Sequence, residues 1–278
     1  MGNTSYLFND YWKDITASDI SIKNGAGADK EDANYPIENS QDEQIALATR
    51  TDDKTNIRIL FDINSASGGT KQLKTFFIGN HNFSGGSFKV YSYTANDYVT
   101  GQTLEATVAS RTHDVFTRIA SPANRRYLEI DLSNNGTITS ADSYYEWGRI
   151  MCYDDLVQLT DKEDYATPRG YGFKNIVNET THGIRWIHKL AEKRERFELK
   201  WIERMTSNSI VTELRTLYDN TYGGAHPFMF IPDISGTDCY YVYLESPEML
   251  WSEIFGTGSD SHAGDISLRL IEAIRGKA

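Results

Sequence analysis

From Thr55 the chain settles into alternation. Ile57, Ile59, Phe61 and Ile63 are separated by Arg58, Leu60 and Asp62, a period near two that predicts a β-strand. Leu73–Ile78, Phe88–Ser92, Thr103–Ala109, Asp114–Ile119, Tyr127–Leu132 and Trp147–Cys152 continue the series, with Ser65–Thr70 and Gly79–Gly86 read as turns. None of these runs carries the 3.6-residue period of a helix, so they predict a sandwich or barrel. Arg126–Leu132 and Glu146–Met151 read as the closing strands of that first domain, close to the middle of the chain.

Residues 1–50 are polar and turn-rich, with sparse apolar positions such as Trp12, Ile20 and Ile22, and read as loop with short strands. Tyr153–Asn178, polar and carrying Pro168, Gly170 and Gly172, reads as a linker. Strands then resume at Gly183–Leu190, Phe197–Ile202, Pro227–Pro232, Tyr240–Leu244 and Asp265–Ile274. One helix interrupts them: Ile210, Leu214, Leu217 and Tyr218 make a single apolar stripe over Ser209–Asn220, with Gly223-Gly224 as its stop. The pattern predicts an all-β protein of two β-sandwich domains, a jelly roll over 1–155 and a sandwich with one helix over 156–278.

Seventeen Tyr against six Pro point to sheet surfaces rich in amphipathic rings. The net charge is −11, and both halves of the chain are acidic, which argues against tracking a phosphate backbone. The basic run Lys189, Lys193, Arg194 and Arg196 is interleaved with Glu192, Glu195 and Glu198 and reads as a solvated face. Cys152 and Cys239 form no disulfide framework and read as packing residues. No secretory leader is expected, and no run of about 18 apolar residues predicts a membrane span.

Two features together carry a resemblance to known families. Ile57–Ile63, the loop Phe77–Ser84, Phe88–Ser92, Arg126–Asp131 and Gly148-Arg149-Ile150, in that order, resemble a galactose-binding-like (discoidin) jelly roll. Arg194–Trp201, the helix with Leu214 and Leu217, Pro227–Asp233 and Tyr241–Leu244 resemble the sandwich of distal-tail and baseplate proteins of tailed phages. Together the resemblance spans Ile57–Leu244. It implies a virion structural protein of the tail tip or baseplate, assembled in the host cytoplasm. Such a protein packs as a homo-oligomeric ring with other tail proteins, and its jelly roll faces host surface polysaccharide. The alternative is a carbohydrate-binding protein of host adsorption with no ring role.

The candidate ligand loop is Asn80, His81, Asn82 and Phe83, where donors, acceptors and a ring suit a sugar. The same residues also suit a plain turn in which asparagines bond their own backbone. Trp251 and Phe255 are the candidate interface anchors. Asp29, Glu31, Asp32 and Glu38 lack EF-hand spacing, and His182 and His188 make a poor zinc pair, so no metal and no cofactor are expected. The chain lacks a Gly-x-Ser-x-Gly elbow, a phosphate-cradling loop and a His-Glu-x-x-His motif, so no enzyme is expected.

Overall fold

The computed structural model describes residues 5–7, 10–110, 114–154, 157–160, 169–172, 175–179, 185–189, 194–201, 209–232, 239–245, 251–254 and 262–273. The chain is all-β in its architecture and divides into two compact units. One comprises Asn9–Leu156 with Arg275–Ala278, the other Met1–Phe8 with Val157–Ile274.

The Asn9–Leu156 unit is a sandwich of a five-stranded and a three-stranded antiparallel sheet. Across the larger sheet the strands run Ile20–Asn24, Ile57–Asp62, Tyr127–Asp131, Ser87–Tyr93 and Thr103–Ala109. The smaller sheet orders Arg149–Tyr153, Thr75–Gly79 and Val115–Arg118. The alternation read from the sequence is the reason for this layering. Ile57, Ile59 and Phe61 turn inward to join Leu128, Ile130 and Val90 from neighbouring strands, and Phe76, Ile78, Val115, Ile150 and Cys152 from the smaller sheet, in one core.

Two elements in this unit depart from the sequence reading. Ser65–Thr70, read as a turn, overlaps a one-turn helix, Asn64–Ser67, ended by left-handed Gly68. A second short helix, Tyr11–Asp14, is capped by Asp10. Four-residue helices are too short to show a periodicity. Trp12 anchors the second: its ring is fully buried edge-on to Phe61, and its indole N–H donates to Ser40 Oγ at 3.0 Å.

The other unit holds an eight-stranded sheet. Its path runs Val157–Gln158, Ser5–Leu7, Phe228–Ile231, Tyr240–Leu244, His262–Glu272, Arg194–Trp201 and Arg169–Gly172, with Trp251–Ile254 also paired to His262–Glu272. The strand nearest the N-terminus is thus an interior strand here, second from one edge. Ser5–Leu7 bridges Val157–Gln158 and Phe228–Ile231. The helix spans Ser209–Asn220 as its stripe predicts, and Ile210, Val211, Leu214 and Leu217 share a core with Phe197, Leu199, Trp201, Phe228 and Leu268. The supposed linker Tyr153–Asn178 is corrected. It contributes Arg169–Gly172 to this sheet, and Asn175–Glu179 pairs with Arg185–Lys189 as a hairpin. Ladder hydrogen bonds override a polar, glycine-bearing composition there.

Candidate functional site

At one end of the Asn9–Leu156 sandwich, the connections following Thr75–Gly79 and preceding Ile57–Asp62 and Arg149–Tyr153 converge. The candidate loop Asn80–Phe83 sits here, and its polar atoms are turned into the protein. Asn80 adopts φ +53, a left-handed conformation that asparagine tolerates. Its backbone N–H donates to Asp114 Oδ1 at 3.0 Å, and its side-chain amide donates to the Ile45 carbonyl at 3.0 Å. His81 Nδ1 accepts the Phe83 N–H at 3.1 Å, and the two rings stack with centroids 4.4 Å apart. Phe83 itself is buried against Tyr145.

Asn82 makes the connection that matters for the surface. It donates to Asp142 Oδ2 at 3.0 Å and to the Tyr144 carbonyl at 3.1 Å, and its Oδ1 accepts the Glu146 N–H at 2.9 Å. The segment carrying Tyr144 and Glu146 is thereby pinned on the loop. Tyr145, next in line, is buried. Its hydroxyl donates to the Ile138 carbonyl at 2.7 Å, and burial pushes its phenol above the usual tyrosine range. Lys54 Nζ donates to the Ser140 and Asp142 carbonyls, at 2.9 Å each, and holds the other side of the segment.

What this wiring presents is a stacked arginine. The short strand Thr49–Arg50 pairs with Glu146–Trp147, which sets Arg50 opposite Glu146. Arg50 Nε donates to Glu146 Oε2 at 2.9 Å, and Nη2 contacts the same oxygen. The guanidinium carbon lies 3.9 Å from the Tyr35 ring centroid and 4.2 Å from that of Tyr144, so the cation is flanked by two π-systems. The backbone fixes Tyr35 in turn, because its carbonyl accepts the Arg50 N–H at 3.0 Å. The Arg50 and Glu146 side chains keep about a quarter of their surface, at 23% and 25% exposure, and both tyrosines are partly exposed. The result is a half-open aromatic platform with an ion pair at its centre, joined to Asn82 and Asp142.

Nothing in the sequence marks these four residues as a group. Residues 35, 50, 144 and 146 are brought together by strand pairing across nearly a hundred positions. A motif search finds the bracket, Asn80–Phe83, and misses what the bracket holds.

Other polar clusters of this unit are turned to structure. Glu129, fully buried, is gripped by Arg58 at 2.8 and 2.7 Å and contacted by the Tyr93 hydroxyl. Asp10 and Arg149 form a buried pair at 2.8 Å. Asp29 and Asp32 accept nearby backbone N–H groups, Glu31 accepts that of Ile37, and no metal-holding group of three His, Cys, Asp or Glu occurs among the described residues. Glu31 is raised by burial, whereas Asp53 is lowered by its hydrogen bond from Lys30.

In the other unit, Trp251 lies on the strand Trp251–Ile254, while Phe255 and His182 fall outside the described residues. No helix among the described residues is long and apolar enough to cross a membrane.

No family model matches the chain, and no curated protein matches it. Solved structures do, over about half its length. One is a chitosan-binding module from a chitosanase/glucanase of Paenibacillus sp. IK-5, 10% identical with a TM-score of 0.38, covering 52% of this chain and 98% of the module. The family 32 carbohydrate-binding module of C. perfringens NanJ, solved with galactose, is 11% identical with a TM-score of 0.37, covering 54% and 98%. The lectin domain of lectinolysin, solved with Lewis B antigen, is 10% identical with a TM-score of 0.37, covering 52% and 96%. Likeness at this level assigns no ligand to the chain.

Proposed function

We propose that the chain is a non-catalytic carbohydrate-binding protein and that the platform of Tyr35, Arg50, Tyr144 and Glu146 is where its Asn9–Leu156 unit meets a glycan. The carrying observation is Arg50 clamped between two tyrosine rings 3.9 and 4.2 Å away, with Glu146 fixing its orientation. A pyranose has an apolar face of C–H groups and a rim of hydroxyls. Rings flanked by a fixed cation and carboxylate suit both, and a platform held by backbone hydrogen bonds is ordered before binding. The phenol hydroxyls of Tyr35 and Tyr144 make no hydrogen bond among the described residues, which leaves them to a ligand.

A glycan array followed by titration calorimetry tests this reading. Wild-type protein is expected to bind at least one oligosaccharide class. Tyr144→Ala and Arg50→Ala should each weaken binding about tenfold, the value of roughly 1.4 kcal/mol, with melting temperatures close to wild type. Full binding by both variants sinks the assignment of the site, and silence of the whole array sinks the function.

The setting of a phage tail tip, with a homo-oligomeric ring and other tail proteins as partners, is a further proposal that rests on the order of sequence motifs. Light scattering of the purified chain tests it. A ring predicts a closed oligomer, with interfaces above about 1,000 Å²; a strict monomer absent from virions refutes it.

A further inference from the structure

The charge bookkeeping around the platform goes one step beyond glycan binding, and rests on that reading. Arg50 is the cation at its centre, and its Nε and Nη2 both point at one oxygen of Glu146. The two lysines of the neighbouring loops are also engaged. Lys54 Nζ donates to the carbonyls of Ser140 and Asp142, and Lys30 Nζ pairs with Asp53 Oδ2 at 2.5 Å. Asp142, exposed, holds one carboxylate oxygen on the Asn82 amide, beside Tyr144. Arg50 and Lys30 are thus each matched by a carboxylate, Lys54 is held on neutral carbonyls, and Asp142 adds a negative charge that Asn82 binds without neutralising.

We infer that Glu146 is the specificity-determining residue of the platform: by occupying Arg50 it admits uncharged pyranosides and turns away uronic, sialic and sulfated ones. An acidic sugar stacked on Tyr144 would bring its anion to an Arg50 whose Nε and Nη2 already hold the Glu146 carboxylate, and would meet Asp142 on the way. Specificity here comes from a built-in repulsion as much as from an attractive contact. Arginine that must read a carboxylate or sulfate is ordinarily left with its fork open; this one has its Nε/Nη2 edge occupied from within the chain.

The test compares neutral, uronate and sulfated oligosaccharides of equal length, immobilised on one array, at low salt and at physiological salt. Wild-type protein should favour the neutral set at least tenfold, with the preference shrinking as salt screens the repulsion. Glu146→Gln keeps the backbone bond to Asn82 and removes the charge, and should raise the acidic-to-neutral binding ratio at least tenfold. Wild-type protein that binds acidic glycans as tightly as neutral ones overturns the inference and leaves glycan binding standing, and so does a ratio unmoved in a folded Glu146→Gln. Wild-type protein that binds neither class overturns this inference together with the reading beneath it. Should Glu146→Gln fail to fold, the wild-type comparison decides by itself.

Discussion

Replacing Asp10 with Ala should unfold the Asn9–Leu156 unit more readily than any surface change. The Asp10 carboxylate accepts from Arg149 Nη2 at 2.8 Å, and from the backbone N–H groups of Trp12 and Cys152 at 3.0 Å each. Exposure is 6% for Asp10 and 2% for Arg149. It ties the helix Tyr11–Asp14 to the edge strand Arg149–Tyr153 across more than 130 positions of sequence. Truncation leaves a guanidinium that cannot lose its charge, buried with its anion gone. Breaking such a pair costs about 3–5 kcal/mol. For a unit of this size that lowers the melting temperature by about 10 °C. Urea titration followed by tryptophan fluorescence reads the change, because Trp12 and Trp147 are both fully buried in this unit. The partner change Arg149→Met, added to Asp10→Ala, removes the stranded charge and should recover at least half of the loss. A cost below about 1 kcal/mol for Asp10→Ala, or a double variant whose loss is the sum of the two single ones, would refute the argument that an uncompensated charge dominates.

Gly86 sits at φ +79, and a Cβ there would lie 1.7 Å from the Thr137 carbonyl oxygen, so Gly86→Ala should cost more than about 2 kcal/mol in chemical denaturation. A neutral cost would show that the Thr137–Ile138 turn yields freely. Burial raises the Cys152 thiol well above its ordinary value, while Cys239 is half-buried, so a thiol reagent at pH 8 should label Cys239 first and Cys152 only in denaturant. Equal labelling rates in the native state count against the buried edge strand. Burial, then the Glu129 hydrogen bond, pushes the Tyr93 phenol up, and burial does the same for Tyr98. The folded state therefore holds those protons longer than the unfolded chain. Their contribution is intact below pH 10 and falls as pH rises past it, so stability should drop on the alkaline side, and Tyr93→Phe should flatten that drop.

The sequence made the strands legible because each has a dry face: Ile57, Ile59 and Phe61 announce one, and in the other unit Ile210, Leu214 and Leu217 announce the helix. It hid what is held by hydrogen bonds in place of apolar burial. Arg169–Gly172 reads as linker because Gly-Tyr-Gly has no alternating stripe, yet its backbone completes a ladder with Arg194–Trp201. The placement of Ser5–Leu7 beside Phe228–Ile231 has no local signal at all, since long-range pairing is set by the partner. At the candidate site the local chemistry of Asn80-His81-Asn82 was visible, and the structure uses it to bond backbone. The groups it holds outward come from three separate stretches of chain, and no spacing rule joins Tyr35 to Tyr144.

A platform of this construction has a consequence for how the chain would work as a glycan receptor. It is made of two partly exposed rings and one ion pair, few groups for a sugar laid on it. Rigidity lowers the entropic cost of binding, but a single pyranose supplies few atoms to bind with, so each contact is expected to be weak. Weak, ordered contacts serve adhesion when many are displayed together, because linking them raises the effective concentration of each into the millimolar range and multiplies avidity by about 10² to 10⁴. A repeated assembly and a sugar-reading loop end are then complementary: the first supplies the number of contacts that the second needs. Under that reasoning the homo-oligomer proposed from the sequence is the arrangement in which a platform of this size becomes useful, and a chain that binds glycan tightly as a monomer would have to do so through a deeper surface than Tyr35, Arg50 and Tyr144 provide.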